Sequence, residues 1–187
     1  MNVCLDFAKK SAVVFALVLM AAFVSCSKRV NVTHDSAKAA DIYGSWETKN
    51  KSEIELYSNP GTEDEALQGN AEILSVTELT FSESRLFKMK ITTSVASVSL
   101  LEDAVFSEEM IRGQVDSTME ITGTYSCGSE YLLLKNEAVK RSNVAEDLMA
   151  EDSLADETTT VRWSVKDGKL ELVELNGSNA AVYRRVE

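Results

Sequence analysis

The sequence predicts a mainly β fold, an antiparallel up-and-down meander that closes into a barrel and carries one or two short helices. Three observations predict it. Runs of alternating apolar and polar residues, rich in Val, Ile, Thr, Tyr and Phe, recur from Asp41 onward. Several are joined by dipeptides suited to hairpins: Asp167-Gly168, Asn176-Gly177 and, with a slightly longer loop, Cys127-Gly128. A chain of hairpins leaves two free sheet edges, and closure into a barrel is the simplest way to remove them.

Taken in order, the candidate strands are Tyr43 to Lys49, Glu53 to Tyr57, Ile73 to Phe81, Leu86 to Val95 and Ser117 to Ser126. They continue with Tyr131 to Lys135, Thr160 to Lys166, Leu170 to Leu175 and Ala180 to Val186. Two segments interrupt the pattern. Ser99 to Arg112 opens with Ser99-x-x-Glu102, the arrangement of a capping box, and places Leu101, Ala104, Val105 and Met110 at broadly helical spacing. Asn143 to Glu157 opens with Asn143-x-x-Glu146, has a thin apolar stripe at Val144, Leu148 and Ala155, and carries six acidic residues. It reads either as a surface helix packed by one edge or as an acidic loop.

Composition narrows the function classes. The chain has 187 residues, 19 Lys plus Arg, 30 Asp plus Glu, a net charge of −11, one Pro, one His and three Cys. That length holds one or at most two domains. At 44% apolar and 26% charged it is neither collagenous, disulfide-dense nor a multi-span membrane protein. The acidic balance argues against a nucleic-acid partner, because phosphate binding draws on a basic surface. A single His leaves little of the commonest acid/base group and metal ligand.

The N-terminus reads as an export signal. Lys9 and Lys10 precede an unbroken apolar run of thirteen residues from Ala12 to Val24. As a helix the run would span roughly 20 Å at about 1.5 Å per residue, short of the roughly 30 Å hydrocarbon core. Phe23-Val24-Ser25-Cys26 resembles the bacterial lipobox, in which a small residue precedes a Cys that is acylated and becomes the first mature residue. Phe23 stands where Leu is usual. The alternative is an ordinary cysteine beside a conventional cleavage site. Several acyl chains of the palmitate kind on Cys26 would hold the protein at a membrane more firmly than one chain can.

This division gives a signal peptide at 1–25, a lipidated Cys26 with a flexible polar tether to residue 40, and a domain at 41–187. Loss of residues 1–25 removes Lys9, Lys10 and Asp6, leaving 17 basic and 29 acidic residues and a net charge of −12. Cys127 is then the one remaining thiol, so there is no intramolecular disulfide framework and stability must come from a packed core. His34 falls in the tether and reads as a solvated linker residue.

Along the mature chain the motifs Gly44-Ser45-Trp46, Leu79-Thr80-Phe81-Ser82-Glu83-Ser84, Gly123-Thr124-Tyr125-Ser126 and Tyr131-Leu132-Leu133-Leu134 occur in order. They are followed by the hairpin from Trp163 to Leu172 and the closing strand Val182-Tyr183-Arg184-Arg185-Val186. In this order they resemble the lipocalin-like lipoproteins common in Bacteroidetes and, more distantly, the calycin barrels. The inserts at 99–112 and 143–157 depart from the pattern. The resemblance implies an approximately eight-stranded lipocalin-like barrel, closed at one end by a tryptophan packed against an arginine of the last strand. Carried over, these are Trp46 and Arg185, with Arg184 facing solvent; the plain alternative makes Trp46 a buried β aromatic. A guanidinium over an indole face is a favourable cation-π contact.

The resemblance further implies a binding module, exported and lipid-anchored to the cell envelope, at the outer membrane, holding a small apolar or amphipathic ligand. Eight-stranded barrels are either filled by side chains or hollow enough for one such molecule. Leu86, Met89, Ile91, Met119, Ile121, Leu132 and Leu134 are the candidate ligand-lining residues, with core packing as the alternative for each. The 99–112 segment is placed to act as a lid. A second reading is a non-enzymatic interaction or assembly protein that recruits a basic envelope partner through its acidic surface, although such charge commonly serves solubility. No catalytic set is legible: Cys127 would need a base, and Glu108/Glu109 and Glu151/Asp152 are neighbours that do not face each other on a helix. The expectation is no enzyme activity, no metal and no cofactor.

Overall fold

The computed structural model describes residues 31–59, 63, 65–142, 156–175, 177 and 179–186. The export signal at 1–25, Cys26, residues 143–155 of the acidic insert and Asn176 of the last hairpin lie outside the described residues.

Eight strands follow one another: β1 (Gly44–Ser58), β2 (Ala66–Phe81), β3 (Leu86–Leu100), β4 (Ser117–Cys127), β5 (Tyr131–Ser142), β6 (Thr158–Lys166), β7 (Lys169–Glu174) and β8 (Ala180–Val186). Each pairs antiparallel with the next and β8 returns to β1, so the meander is a closed barrel. The two first candidate strands, Tyr43 to Lys49 and Glu53 to Tyr57, are one strand. Asn50, Lys51 and Ser52 do not look like strand residues, but they pair with Ser75, Leu74 and Ile73. Backbone ladder bonds are indifferent to side chain, so a long partner carries β1 through its polar middle.

The capping box at Ser99 is not used. Asn70 and Gly69 of β2 hold Ser99 and Leu100 in β3. The helix of this insert starts about two turns later, at α2 (Glu108–Val115), after the short α1 (Ser36–Ala39). Ser107 caps α2 by accepting from the Met110 amide at 3.2 Å, and Glu108 and Glu109 complement the positive end of the helix.

The tether is shorter than the sequence suggests. The Asp35 amide donates to the Cys127 carbonyl at 2.7 Å, and the Asp35 carboxylate caps α1. Ala39 and Ile42 are fully buried. His34 is half-buried, accepts from the Cys127 amide at 3.3 Å and stands edge-on to Tyr125. The packed unit thus reaches back before Asp41, and His34 belongs to it. A few apolar side chains, Ala39 and Ile42, are enough to seat this segment on the barrel end.

The wall is uneven in height. β1, β2 and β3 run for 15, 16 and 15 residues, whereas β6, β7 and β8 have 9, 6 and 7. Among the described residues β1 meets β8 only over Ser45 to Glu47. Two apolar clusters result. One fills the closed end around Trp46, Leu79, Phe81, Phe87, Tyr125 and Tyr183. The other lies at the far end of the long strands, where Phe106, Ile111 and Val115 cover Leu56, Ala71, Ile73 and Val95.

Candidate functional site: a polar band inside the barrel

In an antiparallel sheet directly opposed residues share a face, so the register reads the interior row by row. Trp46, Leu79, Met89, Ile121 and Val139 form the row at the closed end. Next come Thr48, Thr77, Ile91, Met119 and Arg141, and then Asn50, Ser75, Thr93 and Ser117. Beyond them Ile73 faces Val95, and Ala71 stands between Ile54 and Val98. Apolar rows at the two ends therefore bracket a polar row and the mixed row beside it.

The polar band is buried. Ser75, Thr77 and Thr93 are 8%, 4% and 5% exposed. Among the described residues the Ser75 hydroxyl has no hydrogen-bond partner. Buried hydroxyls are nearly always paired, because leaving one dry forfeits its water without compensation. Ile91 and the half-buried Met119 lie in the row between this band and the closed-end cluster, so a molecule bound there meets hydroxyls and hydrocarbon together.

The sequence-predicted lining residues divide. Met89, Ile91, Ile121, Leu132 and Leu134 are buried in the closed-end cluster, and Met119 packs against it. Leu86 does not line the interior: it is 51% exposed. Phe87, Met89 and Ile91 point inward, and strict alternation along β3 sends Leu86 outward. The closed end is occupied by large side chains, which moves the candidate site up to the polar band. Asn50, Ser75, Thr77 and Thr93 were missed because Leu74 and Val76 make the outer face of β2 as apolar as its inner one, masking which side the hydroxyls take.

Trp46 is fully buried and its indole N–H donates to the Ile42 carbonyl at 2.8 Å. The Arg185 guanidinium lies 4.8 Å from the Trp46 ring centre. It also donates to the carbonyls of Asp41 at 3.2 Å and Tyr43 at 3.0 Å. Arg184 is exposed. This constellation ties the N-terminal segment to both ends of the sheet.

Cys127 and His34 are close, yet the contact runs through the Cys127 amide rather than its thiol. The thiol is buried, and burial, with the Asp35 and Asp41 carboxylates adding to it, pushes its pKa up to about 12. It stays protonated at neutral pH, the unreactive form. Glu174, on β7, is buried with one oxygen taking the Asn179 amide at 3.1 Å. Among the described residues no group of three or more His, Cys, Asp and Glu side chains is arranged to hold a metal.

A cleft of about 470 Å³ on the outside of α2 is lined by Glu108, Glu109, Arg112, Gly113 and Asp116. Glu108, Arg112 and Asp116 are committed to structure. Arg112 pairs with Glu108 at 2.7 Å and donates to the Val95 carbonyl, while Asp116 accepts from the Val95 amide at 2.8 Å. These bonds fasten α2 to β3. No protein-family model matches the chain, and no curated protein is significantly similar to it.

Proposed function

We propose that the protein is a lipid-anchored envelope protein whose lipocalin-like barrel binds a small amphipathic molecule. The observation that carries the reading is the polar row of Asn50, Ser75, Thr93 and Ser117 between two apolar clusters, with Ser75 and Thr93 buried, Asn50 and Ser117 half-buried, and the Ser75 hydroxyl unpartnered among the described residues. A ligand bearing a hydroxyl, amide or carboxylate beside a hydrocarbon portion satisfies both surfaces; a purely apolar one would desolvate the hydroxyls for nothing. Anchoring rests on the sequence Phe23-Val24-Ser25-Cys26 after its apolar run.

Native mass spectrometry of the full chain, extracted with detergent from the membranes of a bacterial host, tests the binding reading. The expected spectrum contains protein plus a small molecule that is released on denaturation and carries a polar functional group. Protein that is ligand-free in every preparation overturns the reading. Cys26→Ala tests the anchor separately: the chain should leave the membrane fraction, and unchanged fractionation refutes lipid attachment there.

A further inference from the structure

β1 outlasts the strand that closes the barrel on it. β8 covers Ser45 to Glu47, and from Thr48 onward that edge of β1 has no strand partner among the described residues. At about 3.4 Å per residue, the stretch from Thr48 to Leu56 offers roughly 30 Å of free backbone. A bulge ends it: Leu56 opposes Gly69 but Tyr57 opposes Leu67, and the strand bends there.

Proteins guard such edges with charge. Here the guard is ordered by sign. The outward residues read Lys49, Lys51, Glu53, Glu55, each separated by one inward residue. Two copies of this edge running antiparallel about Ser52 bring Lys49 against Glu55 and Lys51 against Glu53, on both sides of the two-fold axis. Inside, Ser52 meets Ser52, Asn50 meets Ile54 and Thr48 meets Leu56. The register is singular. A slip that moves the two-fold axis to Lys51 opposes Lys51 to Lys51, and one that moves it to Glu53 opposes Glu53 to Glu53. A one-residue change in the pairing sets inward residues against outward ones.

The isolated chain leaves the acidic half of this pattern wanting. Lys49 pairs with Glu47 at 2.9 Å, and Lys51 pairs with Glu72. Glu53 makes no ion pair among the described residues, and it stands directly opposite Glu72, a like-charge neighbour. Among the described residues Glu55 accepts the Tyr57 hydroxyl at 2.7 Å and makes no ion pair. A second copy supplies each glutamate with a lysine.

We propose that the free edge of β1, Thr48 to Leu56, pairs antiparallel with the same edge of a second copy of this chain, joining two barrels into one continuous sheet. The interface is isologous, as a two-fold dimer requires. The pairing rests on backbone ladder bonds for affinity and on the Lys/Glu pattern for register.

Ser52→Cys in the full-length chain places two thiols at the two-fold axis, within the Cα separation of opposed strand residues and of a disulfide. Mild oxidation should give a covalent dimer, read on a non-reducing gel against the chain without the substitution. In that background Lys49→Glu/Lys51→Glu makes the edge wholly acidic and Glu53→Lys/Glu55→Lys makes it wholly basic. Each alone should lower the cross-linked fraction by about fivefold or more. Co-expression of the two, with different tags, should restore cross-linking specifically as the mixed dimer. Rescue by mixing also separates lost pairing from lost folding. Cross-linking that ignores both charge variants overturns the proposal, as does a Ser52→Cys protein with native circular dichroism that never cross-links.

Discussion

Trp46 and Arg185 oppose each other across the β1–β8 seam, and the guanidinium does three things at once: it covers the indole and donates to two carbonyls, those of Asp41 and Tyr43. Arg185→Met keeps the aliphatic stem and removes those donors. It should lower the unfolding free energy by about 1–2 kcal/mol, read as a shift in denaturant midpoint at unchanged slope. Cys127 and Tyr183 set a second expectation. Burial raises each to about 12, from ordinary values of 9.0 and 10.0. The fold therefore prefers their neutral forms, and their contribution is complete below about pH 9 and lost as pH rises toward 12. Thermal unfolding midpoints should fall across that window and stay flat for these groups below it. By the same reasoning iodoacetamide at pH 8 should leave Cys127 unmodified in the native protein and label it after denaturation, as peptide mapping would report.

At the scale of elements, α2 shows how a tertiary partner overrules a local signal. Ser99-x-x-Glu102 has the residues of a capping box, but β2 claims Ser99 as a strand partner first. Ser107 then caps a helix whose Phe106, Ile111 and Val115 side covers the far cluster. Ser107→Ala should cost about 1 kcal/mol, and native-state hydrogen exchange should report it as faster exchange in α2 than in β4 or β5. Uniform acceleration across all strands would mean that α2 unfolds only with the barrel. α2 packs over the inner face of β1–β3 at the far end of the long strands, held to β3 by Arg112 and Asp116.

For the whole molecule, the separation of two apolar clusters by a polar band is the feature with the largest consequence. A barrel built only for stability would fill that level with hydrocarbon. Ser75→Ala removes a buried hydroxyl that has no partner among the described residues, so it should stabilise the ligand-free protein by about 1 kcal/mol. The same change should diminish the small molecule retained in native mass spectra. A loss of stability in the ligand-free protein would show instead that the hydroxyl is satisfied without a ligand. The uneven wall has its own consequence: short β6–β8 free the upper edge of β1, and the charges on that edge decide what pairs there.

Alternation and hairpin dipeptides were enough to read the β class, the meander and most strand positions, because a two-residue period and a turn's demand for positive φ are local properties. Asp167 and Gly168 do take positive φ between β6 and β7, at 52° and 69°. The expected export signal and lipidation at Cys26 rest on sequence alone. Only the tertiary structure decided that Asn50 to Ser52 continue β1, that Leu86 faces out, that His34 packs against Cys127's strand, and that inner polar side chains of β1–β4 align into one band. These follow from which residues stand opposite one another. Register couples Asn50 to Ser75 and Ser75 to Thr93, 25 and 18 residues apart, and no local window of the chain contains that coupling.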